Sequence, residues 1–521
     1  MNRLRCLCLA LATAVSCGAY AQTVPRTMTP EAIAPLAQAS FKEYLAFLAM
    51  PSDAVVPADI QKNASFLEQA FRQRGFNTRQ LANNGKPMVY AEFGTQVPGA
   101  KTLLIYMHFD TQPVVPTEWS QPNPWVPVVK QRDASGKWVT VASDRLLAQP
   151  LDPELRVFAR GSSDDKGPIM MLLTAFDGMK AAGISPAINV KVLLDSEEEK
   201  GSPSIANVIK AHQDLLRCDG IVIHDGPSHA SERPTLIFGN RGAVKATLTV
   251  YGPRAPLHSG HYGNYVPNPA MRTAQLLATM KDDDGRVTIK GYYDPVKLSD
   301  AEKAILARTG DDEAAIRKRT GIARAEKVGG NYQEALQYPS LNIRGMASGS
   351  VGDKAANVVP HMAVTEIDLR TTPETPPEYL FGLVEKHIQS QGYHLVKGEP
   401  TDADRATYDK LASFTLGTGG KAVRTPLDSP LGAWAYNTLK TLAESTPASV
   451  AASAPGTEPV RIRMMGGSVP TDSMVDLLGV PFVILPLVNG DNNQHTYDEN
   501  LRVGNYLNGI RIVQGLVTTP F

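Results

Sequence analysis

Cysteine is almost missing from this sequence. There are four in 521 residues, and Cys6, Cys8 and Cys17 sit near the start, so only Cys218 lies in the body of the chain. A chain cut after residue 21 has no internal disulfide and must rely on a core large enough to need none. Cys218 precedes an apolar stretch and reads as a buried thiol rather than a nucleophile. Neither sign of charge is in excess, with 52 basic against 52 acidic residues. That excludes the basic footprint of a nucleic-acid binder. No long internal apolar run suits a bilayer span, so no membrane-spanning segment is expected in the mature chain. What is present, 43% hydrophobic and 20% charged residues, is globular composition, enough for about two to four domains.

The first 21 residues have a different texture. Arg3 and Arg5 precede an apolar stretch from Cys6 to Val15, and Ala19-Tyr20-Ala21 stands before Gln22. A positive region, a short apolar region and an A-x-A site predict a secretory signal peptide over 1–21 and a periplasmic destination. Lipidation at Cys17 ranks lower, because Ala14-Val15-Ser16 is a poor approach sequence.

Hydrophobic periodicity predicts helices over Pro30–Ala49, Ile60–Arg74 and Pro168–Ala182, and short strands at Lys101–Met107, Asn189–Leu194 and Gly220–Ile223. This alternation argues an α/β sheet with helices on both faces. After Gly242 the pattern changes. Strands at Ala243–Tyr251 and Ala363–Leu369 alternate in polarity. Helices are expected at Pro269–Met280, Pro377–Gln391 and, highly charged and solvated, at Ser299–Lys318. This is a second α+β unit inserted into the first. Ala443–Pro459, rich in Ala, Ser, Pro and Thr, reads as the returning loop, and Val480–Leu485 as a late buried strand of the first sheet. The expected division is a signal peptide at 1–21, a catalytic domain at 22–241 and 456–521, and an inserted domain at 242–455.

Chemistry-bearing residues fall at the ends of the predicted strands, where α/β sheets place ligand groups. His108-Phe109-Asp110 follows the first strand, and Asp110 is placed to hold the second ring nitrogen of His108. Asp164 and Asp165 open a glycine-flanked helix. Glu197, Glu198 and Glu199 end another strand beside Asp195, Asp225 ends a third, and His495 follows the last. Alone, each is a cap, a charged turn or a structural histidine. Together they converge on one edge of one sheet. Adjacent acids repel unless a cation neutralises them, and two histidines with several carboxylates suit zinc better than calcium. His224 is expected to point away from Asp225, because strand neighbours alternate faces.

The ordered set His108-Phe-Asp110, Gly161-Ser-Ser-Asp164-Asp165-Lys166-Gly167, Glu198-Glu199-Lys-Gly201-Ser202, Asp225, Leu257-His258-Ser259-Gly260 and His495 resembles the aminoacylase, carboxypeptidase G and carnosinase family of co-catalytic zinc peptidases, peptidase family M20. The resemblance runs from about Pro30 to the C-terminus. It implies a zinc-peptidase catalytic domain with an inserted lid or dimerisation domain, a homodimer, and two zinc ions per subunit, with Co2+ or Mn2+ as possible replacements. Asp164 would bridge the metals, with His108 and Asp225 completing one site and Glu199 and His495 the other. Asp110 would support His108, Glu198 would be the general base, and the Asp164–Asp165 peptide would be cis. The family has a small residue more often than Lys200. The Glu-Glu-x-Gly-Ser spacing fixes the register, with Glu197/Glu198 as the losing alternative.

His258 resembles the lid histidine that stabilises the oxyanion. Arg370 resembles the arginine that grips the substrate carboxylate, a task suited to a planar fork. Asn357 and the loop Gly466-Gly467-Ser468 match substrate-contact positions. The implied activity is that of an exported exopeptidase, a dipeptidase or carboxypeptidase acting on a small peptide next to a free carboxylate. The alternatives are an N-acyl-amino-acid amidohydrolase using the same site, or a binding protein that lost catalysis. The presence of Glu198 weighs against the last, since a pure binder has no need of a base.

Overall fold

The computed structural model describes residues 25–445, 458–467, 469 and 471–521. The signal-peptide segment 1–21 and Ser468 therefore lie outside the described residues. The larger sheet has eight strands in the order Phe76–Leu81, Met88–Phe93, Asn189–Asp195, Thr102–His108, Gly220–Ile223, Phe482–Ile484, Thr235–Ile237 and Val460–Ile462. Its four middle strands, from Asn189–Asp195 to Phe482–Ile484, run parallel. Their continuous apolar sequences follow from burial on both faces. Leu103, Ile105 and Met107 enter one core, and Leu104 and Tyr106 enter the other. The first core is closed by Pro30–Leu48, Pro57–Gln73, Lys166–Ala181, Pro430–Glu444 and Val503–Thr518, and the second by Ile205–Ala211 and Thr471–Leu478.

A second sheet of five strands is ordered Ser340–Ala347, Met362–Thr371, Gly242–Tyr251, Leu411–Gly420 and His394–Leu395. Along Met362–Thr371, burial alternates at every residue. Ile367 and Leu369 pack on Leu276, Leu380, Val384 and Ile388 of the helices Pro269–Ala278 and Pro377–Ser390. Asp368 and Arg370 lie on the opposite, polar face.

Two expectations are corrected. The chain returns to the first unit well before residue 455. Val423–Arg424 already pairs with Gly239–Asn240, and Leu431, Trp434, Ala435, Leu439 and Leu442 of the helix Pro430–Glu444 belong to the first core. The apolar face of that helix decides the crossing, not the low-complexity loop after it. The charged stretch 299–318 is two helices, Asp300–Ala307 and Glu313–Thr320, not one. Gly310 between them has φ +82°, and the Asp312 side chain caps the second helix by accepting from the Ala315 amide. Nor is this stretch wholly solvated: Leu306 is buried and Glu302 pairs with Arg463 at 2.7 Å. Among the described residues, no helix is long and apolar enough to cross a membrane.

Candidate metal centre

Four of the candidate residues emerge where a strand ends or just beyond it. His108 is the last residue of Thr102–His108, Asp225 lies two residues past Gly220–Ile223, and Glu198 and Glu199 form a tight turn after Asn189–Asp195. Asp164 precedes the helix Lys166–Ala181, and its peptide to Asp165 is cis. His495 lies in an irregular loop with left-handed backbone at Asn493, His495 and Asp498, a conformation that Asn, Asp and His tolerate better than most.

The side chains converge. His108 Nε2 lies 3.0 Å from one Asp164 oxygen, and His495 Nε2 lies 3.0 Å from the other. His495 Nε2 is also 3.3 Å from Glu199. Two triads each bring one ligand atom per residue within 4.8 Å of one another: His108, Glu198 and Asp225, and Asp164, Glu199 and His495. Glu198 therefore stands as near to His108 and Asp225 as a ligand would. His224 turns the other way, with its Nδ1 against the Leu485 carbonyl at 2.9 Å, and burial lowers its pKa to about 4.

The electrostatics favour a cation. Burial and the neighbouring Asp225 raise the Glu198 carboxyl well above its ordinary value. Burial and Asp164 raise Glu199 to about 7, and burial raises Asp225 to about 6 despite the opposing His108. Asp164 is the exception. Burial disfavours its charge, yet its contacts with His108 and His495 depress its pKa. His108 is raised, because contacts with Asp110 and Asp164 outweigh burial. Two imidazole nitrogens and four carboxylates crowded this way are the donor set of a dinuclear divalent-metal site, whose charge would remove the repulsion.

Asp110 contacts His108 and also the turn beyond it. The closest partner of His108 Nδ1 is the Asp110 backbone carbonyl at 3.0 Å, with the carboxylate at 3.5 Å. The carboxylate accepts the amides of Glu198 at 3.0 Å and Glu199 at 3.1 Å. It thus orients the turn that carries both acids.

Sequence reasoning missed Glu499. This fully buried carboxylate accepts from Arg160 Nη1, the Gly161, Ser163 and Asp164 amides and the Ser163 hydroxyl, all between 2.8 and 3.0 Å. It also missed Gln112, whose amide donates to Glu199 at 2.6 Å. Glu499 stands in the same acidic run as His495, but nothing in its spacing marks it as buried.

The remaining candidates lie in or beside the second unit. His258 is exposed, its Nδ1 accepts from the Gly260 amide, and the Ser259 amide donates to the Asn357 carbonyl at 2.9 Å. His258 and Asn357 are thus neighbours, and among the described residues neither bonds to a candidate ligand. Arg370 is one third exposed and donates through Nε to Asp368 at 3.2 Å. Gly466 and Gly467 follow Met465, whose carbonyl accepts from the Arg241 amide at 3.1 Å.

A three-layer α/β catalytic unit, an inserted α+β unit and two carboxylate–histidine triads define a metallopeptidase, a hydrolase acting on peptide or related amide bonds. The profile of Peptidase family M20/M25/M40 matches residues 104–519, and the chain belongs to that family. A Cys-Gly metallodipeptidase of Schizosaccharomyces pombe is 26% identical over 432 residues, covering 82% of this chain and 81% of its own length. A Beta-Ala-His dipeptidase of Mus musculus is 26% identical over 436 residues, covering 82% and 78%. Among solved structures, the M20 family metallo-carboxypeptidase Sso-CP2 of Sulfolobus solfataricus superposes with a TM-score of 0.69 at 26% identity, covering 92% of this chain and 98% of that one.

Proposed function

We propose that this chain is a zinc-dependent exopeptidase of the dipeptidase or carboxypeptidase type, cleaving the amide next to a free carboxylate. The observation that carries this reading is that His108 and His495 meet the two oxygens of Asp164, with Glu198 and Asp225 grouped about His108 and Glu199 about His495. The named activities of the relatives, two dipeptidases and a carboxypeptidase, support it.

His108, Asp164, Asp225, Glu199 and His495 would hold the ions. Two divalent ions so held would supply Lewis acidity and bring the pKa of water toward neutrality. Glu198 is the general base: it takes a proton from water and returns it to the leaving nitrogen. Its raised pKa suits a group that must hold that proton between the two transfers. Arg370 fixes the substrate carboxylate, and His258, supplied within a homodimer, donates to the developing oxyanion. Export to the periplasm belongs to the same proposal and rests on residues 1–21 alone.

The test reconstitutes metal-stripped protein with Zn2+, Co2+ or Mn2+ and screens dipeptides, longer peptides and N-acyl amino acids by mass spectrometry. Release of the C-terminal residue from unblocked peptides is expected. Turnover of N-acyl amino acids alone would make the chain a deacylase. No turnover with any metal would leave a binding protein.

A further inference from the structure

Arg241 is the residue at which the chain enters the second sheet, and its charge is unanswered. It is 7% exposed, and among the described residues it forms no ion pair. One terminal nitrogen, Nη2, donates to the Tyr338 carbonyl at 3.0 Å and to Ser340 Oγ at 2.9 Å. Its Nε is buried and has no partner among the described residues. Leaving a buried donor without an acceptor is destabilising, so a group in this position calls for an acceptor.

Strand register shows where that donor lies. Ser340 is directly opposite Arg370 across one strand pair, and Ala243 is opposite Arg370 across the next. Directly opposed residues share a face, so Ser340 Oγ and the Arg370 side chain are on the same polar face. The Arg241 guanidinium, bonded to Ser340 Oγ, has reached across to that face beside Arg370. Among the described residues Arg370 is tied through Nε to Asp368, and its terminal nitrogens bond to none of them. Among the described residues, two guanidiniums and one carboxylate leave one positive charge without an ion-pair partner. The proximity is felt: burial, and then Arg370, lower the Arg241 pKa to about 10. The Arg241 amide also holds the Met465 carbonyl at the start of the Gly466–Gly467 loop. One residue therefore joins the two separate candidates for substrate contact.

We propose that Arg241 is a second carboxylate-binding residue, and that it and Arg370 share the C-terminal carboxylate of the substrate. This rests on the exopeptidase reading above. Arg370 offers its open fork and Arg241 its positive charge from the buried side, with Ser340 fixing the second guanidinium. The single uncompensated charge matches one carboxylate. Substrates with a neutral C-terminus would leave two cations facing each other.

The test compares kcat/KM for alanylglycine and alanylglycine amide in the metal-loaded full chain and its R241Q, R241K, S340A, R370A and R241Q/R370A variants. The ratio of the two substrates within one variant does not depend on how much of that variant is folded. R241Q is expected to lower the free-to-amide ratio at least tenfold, chiefly through KM for the free dipeptide. R241K should fall less, since it keeps the charge but not the fork, and S340A about threefold. The double variant should lose little beyond R370A, because the two arginines act on one group. If R370A collapses the ratio while R241Q, R241K and S340A stay within twofold of wild type, Arg241 is structural and the inference is overturned, with the exopeptidase reading intact. If the wild type itself does not prefer the free carboxylate, both fall.

Discussion

The Glu499 carboxylate accepts the backbone amide of Asp164 at 3.0 Å, and the two residues are 335 positions apart in sequence. Glu499 follows His495 by four residues, and His495 Nε2 meets Asp164 Oδ2 at 3.0 Å. The loop that supplies His495 therefore also clamps the loop that supplies Asp164. Partners of this kind commonly govern metal affinity about 10- to 100-fold. We expect Glu499→Gln to weaken metal binding by that order, because its amide group would turn N–H donors toward donors that now meet oxygens. Competition against a chromophoric chelator measures it, and unchanged affinity would reduce Glu499 to a core contact.

Glu198→Gln should keep both metals and lose about 10²- to 10⁴-fold in kcat, the usual cost of removing a general base. Glu199→Gln should release one metal. The proximity of Glu198 to His108 and Asp225 makes this comparison decisive. Metal content of the two variants checks it: loss of an ion from Glu198→Gln and not from Glu199→Gln would interchange their roles.

Asp110 accepts two amides of the Glu198–Glu199 turn, whereas His108 Nδ1 meets its backbone carbonyl. An asparagine there can accept only through its one oxygen. Asp110→Asn should therefore lower kcat by disordering the turn, while the His108 site still fills with metal. Metal analysis beside turnover tests this. Loss of the His108-bound ion with the rest of the centre intact would return Asp110 to the role of histidine partner.

Metal removal should reverse the pH dependence of stability. In the metal-free protein, Glu199 stands at about 7 and Asp225 at about 6, above their ordinary values of 4.5 and 3.8. Such a carboxyl keeps its proton in the folded state when the unfolded chain has lost it, so stability falls as pH rises from about 4 to 7. His495, raised from 6.5 to about 9 chiefly by Asp164, adds stability below pH 6.5 that is lost as pH climbs to 9. All three act in one direction. Metal binding requires these groups deprotonated, so its stabilisation grows over the same range and its uptake releases protons. Thermal melts of stripped and reconstituted protein between pH 5 and 9 should diverge upward. Parallel curves would show that these groups are not the ligands.

The sequence by itself determined the parallel strands and the residues at their ends. A strand buried on both faces must be a continuous apolar run, as Leu103–Met107 and Gly220–Ile223 are, and the polar residue that ends the run stands where the sheet meets solvent. Both signals are local and survive without the fold. The return of the chain to the first core at Leu431 was not legible, because composition marked a loop while an ordinary amphipathic helix made the crossing. Nor were Glu499 and Arg241. Each looks like a surface charge in the sequence, and only long-range packing buries it: Glu499 against Gly161–Asp164, Arg241 against Ser340 beside Arg370. Tertiary structure decided which acid is a clamp, which stands among the candidate ligands and which arginine is buried without an ion pair among the described residues. A buried charge is defined by what surrounds it, and those neighbours come from segments roughly 100 to 340 positions away.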